Sequence, residues 1–170
     1  TYQQSSRVAR KLVERDPENR LLARFAPRRL EAEAIRDALL FVAGQLDPTA
    51  RGPAGVDLNI RRRSLYVQTA RWNRSNFATL FDAANPDAST AKRVSKTVTP
   101  QSLFLLNNDF TLAQARQLAK RILAEDFHAD DEARLERLYQ LLFSRAASRD
   151  EITIAKTIVT STDRQNREKA

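Results

Sequence analysis

Apolar residues recur along the chain mostly at the three-to-four-residue spacing of a helix, and in only two short places at the alternation of a strand. The longest amphipathic run covers residues 27–44. Pro27 suits a first helical turn, where its missing N–H has no partner to lose. Gly44 suits the stop, because a helix commonly ends on a residue in the left-handed region. At 100° per residue, Leu30, Ala34, Ile35, Ala38, Leu39, Phe41 and Val42 fall on one broad face, with Arg29, Arg36 and Leu40 opposite. Glu31 stands out, because the same wheel sets it on the apolar face between Ala38 and Val42. A carboxylate there must reach the surface, take up a proton or meet a cation.

The remaining pattern predicts further helices. Residues 5–14 carry a narrow stripe of Val8, Leu12 and Val13, and Asp16-Pro17-Glu18-Asn19 forms a turn. Residues 47–59, with Pro48, Gly52, Pro53 and Gly55, form a loop. Leu65, Val67 and Thr69 alternate and predict a short strand over 64–69, and 92–99 is the second β-prone stretch. Ser75 caps a short helix bearing Phe77, Leu80 and Phe81. Pro100 opens a helix over 101–107, whose Leu103, Phe104, Leu105 and Leu106 are expected inside. In 111–125 the inward positions are Leu112, Ala115, Ala119, Ile122 and Leu123. Asp130 or Asp131 caps 132–143, with Leu135, Leu138, Tyr139 and Leu142 inward, and Ser148-Arg149-Asp150-Glu151 is a capping box for 152–160. The expected fold is mainly α, an irregular helical bundle with at most one small β element. It forms a single helical domain over 1–160, with a polar C-terminal tail over 161–170.

Composition narrows the chemistry. The 170 residues contain no cysteine, which excludes disulfides, zinc–thiolate sites, iron–sulfur clusters and covalent c-type haem within this sequence. A single histidine, His128, excludes a multi-histidine metal site; it lies in a polar turn and is expected to be exposed. No cofactor or metal is therefore expected, and no run approaches the roughly 20 apolar residues of a membrane span. The net charge is +8, with the basic excess in residues 1–75. Arg61, Arg62, Arg71, Arg74, Lys92, Arg93 and Lys96 are the candidate anion-binding set, with Tyr66 and Trp72 interleaved. Most of the cations are arginine, a bias that a GC-rich genome also produces. Specific nucleic-acid binding is accordingly not the expected role.

Five motifs occur in order: Asp16-Pro17-Glu18-Asn19-Arg20-Leu21-Leu22, Arg28-Arg29-Leu30-Glu31-Ala32-Glu33-Ala34-Ile35-Arg36-Asp37, Arg63-Ser64-Leu65-Tyr66, Phe81-Asp82, and Pro100-Gln101-Ser102-Leu103-Phe104-Leu105-Leu106-Asn107-Asn108. Together they make the chain resemble the planctomycete-specific domain of unknown function. The resemblance runs from about Tyr2 to Ala155, and its pattern normally continues before Tyr2, so the chain is expected to be N-terminally truncated. The family's loop Gly-Gly-Pro survives only as Arg51-Gly52-Pro53, and its Pro-rich run is replaced by Trp72-Asn73-Arg74-Ser75. The resemblance implies the C-terminal part of a large secreted bacterial protein, an extracytoplasmic setting and a place beside cytochrome-c-like modules. It supplies no catalytic residues.

Three functions follow as expectations. The first is a non-catalytic interaction or scaffolding module whose partners are neighbouring domains of the parent chain. The second is part of a polysaccharide-related enzyme completed by another domain, with Glu31, Asp82 and Arg63 as its polar groups. The third is weak binding of an anionic glycan or other polyanion. Glu31 and Arg63 are the candidate structural ion pair or site; Arg24 and Arg28 are nearer in sequence, but the helix motif and the Arg-Ser-Leu-Tyr motif carry the resemblance most strongly.

Overall fold

The structure, a computed structural model, describes residues 3–7, 10–49, 51–69, 76–89, 91–93, 96–125 and 130–167, without the side chains of 76 and 162–167. The chain divides into two compact units, Thr1–Glu31 and Ala32–Ala170.

In the first unit a short helix, α1 (Arg10–Arg15), precedes a loop tied by polar side chains. The Asp16 carboxylate accepts from the Arg20 and Leu21 amides at 2.9 and 2.8 Å. Asn19 is buried, with a φ of 55° that asparagine tolerates better than most residues. Its amide bonds both the carbonyl (2.8 Å) and the N–H (3.2 Å) of Arg24. The Arg24 guanidinium closes the knot on the carbonyls of Asp16 and Pro17.

The second unit contains six α-helices among the described residues: α2 (Ala32–Val42), α3 (Asn76–Leu80), α4 (Thr99–Asn107), α5 (Asp109–Glu125), α6 (Asp131–Phe143) and α7 (Arg149–Arg167). The mainly α expectation holds, and no strand forms among the described residues. The 64–69 stretch is instead a 3-10 turn, Ser64–Tyr66, flanked by isolated parallel bridges Asp47↔Arg62 and Gly55↔Val67. The cause lies on α2, where one oxygen of the Asp37 carboxylate captures both the amide and the hydroxyl of Ser64 at 2.7 Å.

Helix α2 begins at Ala32, five residues after Pro27. Its stop is as expected: Gly44 takes a φ of 69°, its N–H bonds the Phe41 carbonyl, and the Gln45 N–H bonds that of Leu40. The buried face differs from the helical-wheel expectation. Ala32, Arg36, Leu40 and Ala43 are inside, whereas Ala34, Ala38 and Phe41 are exposed. The wheel grouped apolar residues, but the face that closes is the one whose small residues admit neighbours and whose arginine finds carbonyls.

The core near α2 is aromatic. Phe77 and Phe81 pack with ring centroids 4.6 Å apart, and Phe104 of α4 meets them at 5.6 and 5.8 Å. Phe104 is the α4 residue that joins this core. Leu103 and Leu106 are exposed, and the buried residue of α4 is Gln101. Its amide nitrogen donates to the carbonyls of Leu80 (2.7 Å) and Lys96 (3.1 Å), and its oxygen accepts from the Val98 N–H (3.1 Å). Helix α5 buries Phe110, Leu118 and Ile122, while Ala115, Ala119 and Leu123 face out. Asp130 caps α6 through the Ala133 N–H, and Ser148 and Glu151 form the expected capping box. Helix α7 continues through Arg167, well into the segment read from sequence as a tail. No described helix is long and apolar enough to cross a membrane.

Candidate functional site

The loop from Asp47 to Thr69 has few apolar residues to hold it, and two arginines do so instead. Arg36 projects from α2 and is 2% exposed. Its Nε donates to the Leu58 carbonyl at 2.9 Å and its Nη1 to the Arg62 carbonyl at 2.9 Å, while Nη2 bonds the Ile60 carbonyl. Nη1 also lies 3.3 Å from the Ser64 hydroxyl and 3.4 Å from Asp37, and the guanidinium sits 5.9 Å from the Phe110 ring centre. Burial pulls the Arg36 pKa below its ordinary value and Asp37 opposes this, but an arginine stays cationic at any working pH. Arg62 secures the loop from the other side. Its guanidinium stacks 3.8 Å from the Tyr66 ring centre and bonds the carbonyls of Arg51 and Pro53. The Tyr66 hydroxyl accepts from the Arg51 N–H at 2.7 Å.

Helix α2, this loop and α3 with the turn after it enclose a cavity of about 310 Å³. Ala32, Glu33 and Arg36 contribute from α2, Val56, Leu58, Ser64 and Val67 from the loop, and Phe77, Ala78, Ala83 and Ala84 from the third wall. Glu33 is paired at the edge, its Oε2 2.8 Å from Nη1 of Arg93. Burial is the largest single influence on the Glu33 carboxyl and raises its pKa, but the Arg93 hydrogen bond, a bond from its own backbone N–H and the Arg93 charge together outweigh it and leave the carboxyl below its usual value. Ser64 Oγ donates within reach of both Asp37 (2.7 Å) and the Glu33 carbonyl (3.2 Å). Its polar neighbours are thus a carboxylate, a carbonyl and a guanidinium, an arrangement that fixes the hydroxyl in place.

The residues singled out in sequence take different environments here. The α2 motif and the Arg-Ser-Leu-Tyr motif do meet, through Arg36 and Asp37. Nε of Arg63 is 4.0 Å from Asp37, with the Arg63 side chain 60% exposed. Glu31 is exposed, one residue ahead of α2, and not on the buried helical face. Arg62 is occupied by loop carbonyls, Arg93 pairs with Glu33, and Arg61, Lys92 and Lys96 are exposed. Arg71, Trp72, Arg74, Ser75 and His128 lie outside the described residues. Asp82 accepts from the Lys96 N–H at 2.8 Å. Sequence reasoning missed Arg36, Asp37 and Gln101. The signal for Arg36 was its place at the second step of the spacing Ala32, Arg36, Leu40, Ala43, which is itself a helical stripe.

The fold and site define an irregular α-helical module whose loops are fixed by buried polar side chains. The sequence matches the family described as PSD1, protein of unknown function (DUF1553), over residues 1–159, and the chain belongs to that family. No curated protein and no solved structure shows a significant match.

Proposed function

We propose that the chain is a non-catalytic interaction module in the C-terminal part of a larger, extracytoplasmic planctomycete protein, and that its partners are neighbouring domains of that protein. The observation that carries this reading is the apolar surface left outside. Leu103 and Leu106 on α4 are 55% and 70% exposed, and Ile154 and Ile158 on α7 are 62% and 60% exposed. Each pair lies three or four residues apart, so each forms a short stripe on its helix. Apolar stripes of this kind are what a partner covers. The polar groups of the cavity support the same reading, because Arg36, Ser64, Asp37 and Glu33 are engaged in holding the loop or in ion pairs.

The test is binding between this domain and the rest of the parent protein, produced separately. Replacing Leu103 and Leu106 together by Gln should weaken binding by about tenfold or more. The thermal midpoint should barely move, since exposed substitutions change stability by only about 0.5 kcal/mol. Undiminished binding by this variant and by the corresponding Ile154→Gln, Ile158→Gln variant would refute the reading.

A further inference from the structure

The cavity between α2, the 56–69 loop and α3 has an internal charge balance that points to its contents. Arg36 is saturated by loop carbonyls and faces Asp37, and Glu33 is already neutralised by Arg93. A charged ligand would therefore give up its hydration without gaining an unpaired counter-charge. The walls offer Val56, Leu58, Val67 and Phe77, and the side chains of Ala32 and Ala78 are small enough to leave the space open. Val56 is 72% exposed, so this apolar surface reaches the mouth. Exposed Gln68, Thr69 and Asn85 add hydrogen-bonding groups to the lining. The volume of about 310 Å³ sits at the lower end of the range for small-molecule sites, roughly 300–1,000 Å³. The loop wall is held by the Arg36 fork and by the Ser64–Asp37 bonds, so a ligand would meet a pre-formed site and the ordering cost of binding stays low.

We infer that this cavity, formed where α2 and α3 meet the arginine-held loop, binds a neutral organic ring with one apolar face and a hydroxyl-bearing edge. The apolar face lies against Phe77, Leu58 and Val56, and the hydroxyl edge meets Gln68, Thr69 or Asn85. This site does not depend on the apolar stripes of α4 and α7.

Two probes share that chemistry and separate its sources: benzyl alcohol for an aromatic ring and methyl β-glucopyranoside for a sugar ring. Methyl resonances of Ala32, Ala78 and Ala83 in the whole chain report binding. At least one probe should shift them saturably. Benzoate and benzylammonium, of the same size as benzyl alcohol but charged, should bind at least about tenfold more weakly than the better neutral probe. Ala84→Phe, at an exposed wall residue, should abolish the shifts while the thermal midpoint is retained; Val56→Phe closes the cavity from the loop side if that variant does not fold. Absence of saturable shifts with both neutral probes would overturn the inference. So would equal binding of a charged analogue, or shifts that persist in a folded cavity-filling variant.

Discussion

Arg36 shows how a buried cation can serve as a structural centre. A guanidinium has five N–H donors in a rigid plane, and here they reach three carbonyls of one loop, a hydroxyl and a carboxylate. Isolated burial of such a charge is costly, and only near-complete satisfaction makes it tolerable. Arg36→Met should therefore cost about 3–5 kcal/mol, because it leaves the three part-buried carbonyls of Leu58, Ile60 and Arg62 without their donor. In a domain of this size that lowers the thermal midpoint by on the order of 10 °C. Arg36→Lys should recover little of the loss, since a point charge with three donors cannot span Leu58, Ile60 and Arg62 at once. A melting curve for each variant, with hydrogen-exchange protection of residues 58–64, checks both statements. A melting point unchanged in Arg36→Met would show that the loop is held by something else. Asn19 and Gln101 follow the same logic on a smaller scale, each using a buried amide to join backbone groups that no helix or sheet pairs.

The connection between α6 and α7 is set by a carboxylate whose charge is tunable. Arg145 grips Glu151 with two nitrogens at 2.8 and 2.6 Å, and the Ser148 N–H adds a bond of 2.8 Å. The Arg145 hydrogen bonds, followed by that of Ser148, lower the Glu151 pKa from 4.5 to about 2. The folded pKa lies below the unfolded one, so in the window between them the unfolded chain binds more protons. The contribution of Glu151 is complete above about pH 4.5 and is lost as pH falls towards about 2. Urea unfolding of the wild type and of Glu151→Gln should differ most near neutral pH, with the gap closing across that acid window. A constant gap at every pH would remove the linkage. This capping box was legible in sequence because its four residues are contiguous and its chemistry is local. The same holds for Asp130 and for the Gly44 stop. The burial pattern of α2 and α4 was not legible, because it depends on distant segments. Leu106 faces out and Gln101 faces in since the carbonyls of Leu80 and Lys96 happen to arrive beside one and not the other. The candidate site was half legible: the two motifs that meet were recognised, but a helical wheel cannot show that Arg36, and not an apolar residue, occupies the centre of the contact.

At the scale of the molecule the question is what a net charge of +8 does. Long-range attraction to a polyanion depends on cations free to approach it, and structural duty removes some of them. Arg62 stacks on Tyr66 and serves the carbonyls of Arg51 and Pro53, and Arg93 faces Glu33 at 2.8 Å. Arg61, Lys92 and Lys96 remain exposed in the described part of the candidate set. Two arginines adjacent in sequence, Arg61 and Arg62, should thus behave differently. Binding to a DNA duplex should be weak, indifferent to base sequence and steeply salt-dependent, as counterion release requires. Replacing Arg61, Lys92 and Lys96 together by Gln should flatten the plot of log affinity against log salt by about one unit for each phosphate that is no longer neutralised, with the melting point held. Arg62→Gln should do the reverse: it loosens the 51–53 segment and lowers the melting point, yet leaves the salt slope nearly as it was. The two variants measured by fluorescence anisotropy over a salt series, each beside a melting curve, separate a solvated charge from one committed to the fold. Affinity that persists unchanged from low to high salt would mean a recognition surface of another kind. A slope altered more by Arg62→Gln than by the triple variant would place that arginine on the ligand and not in the loop.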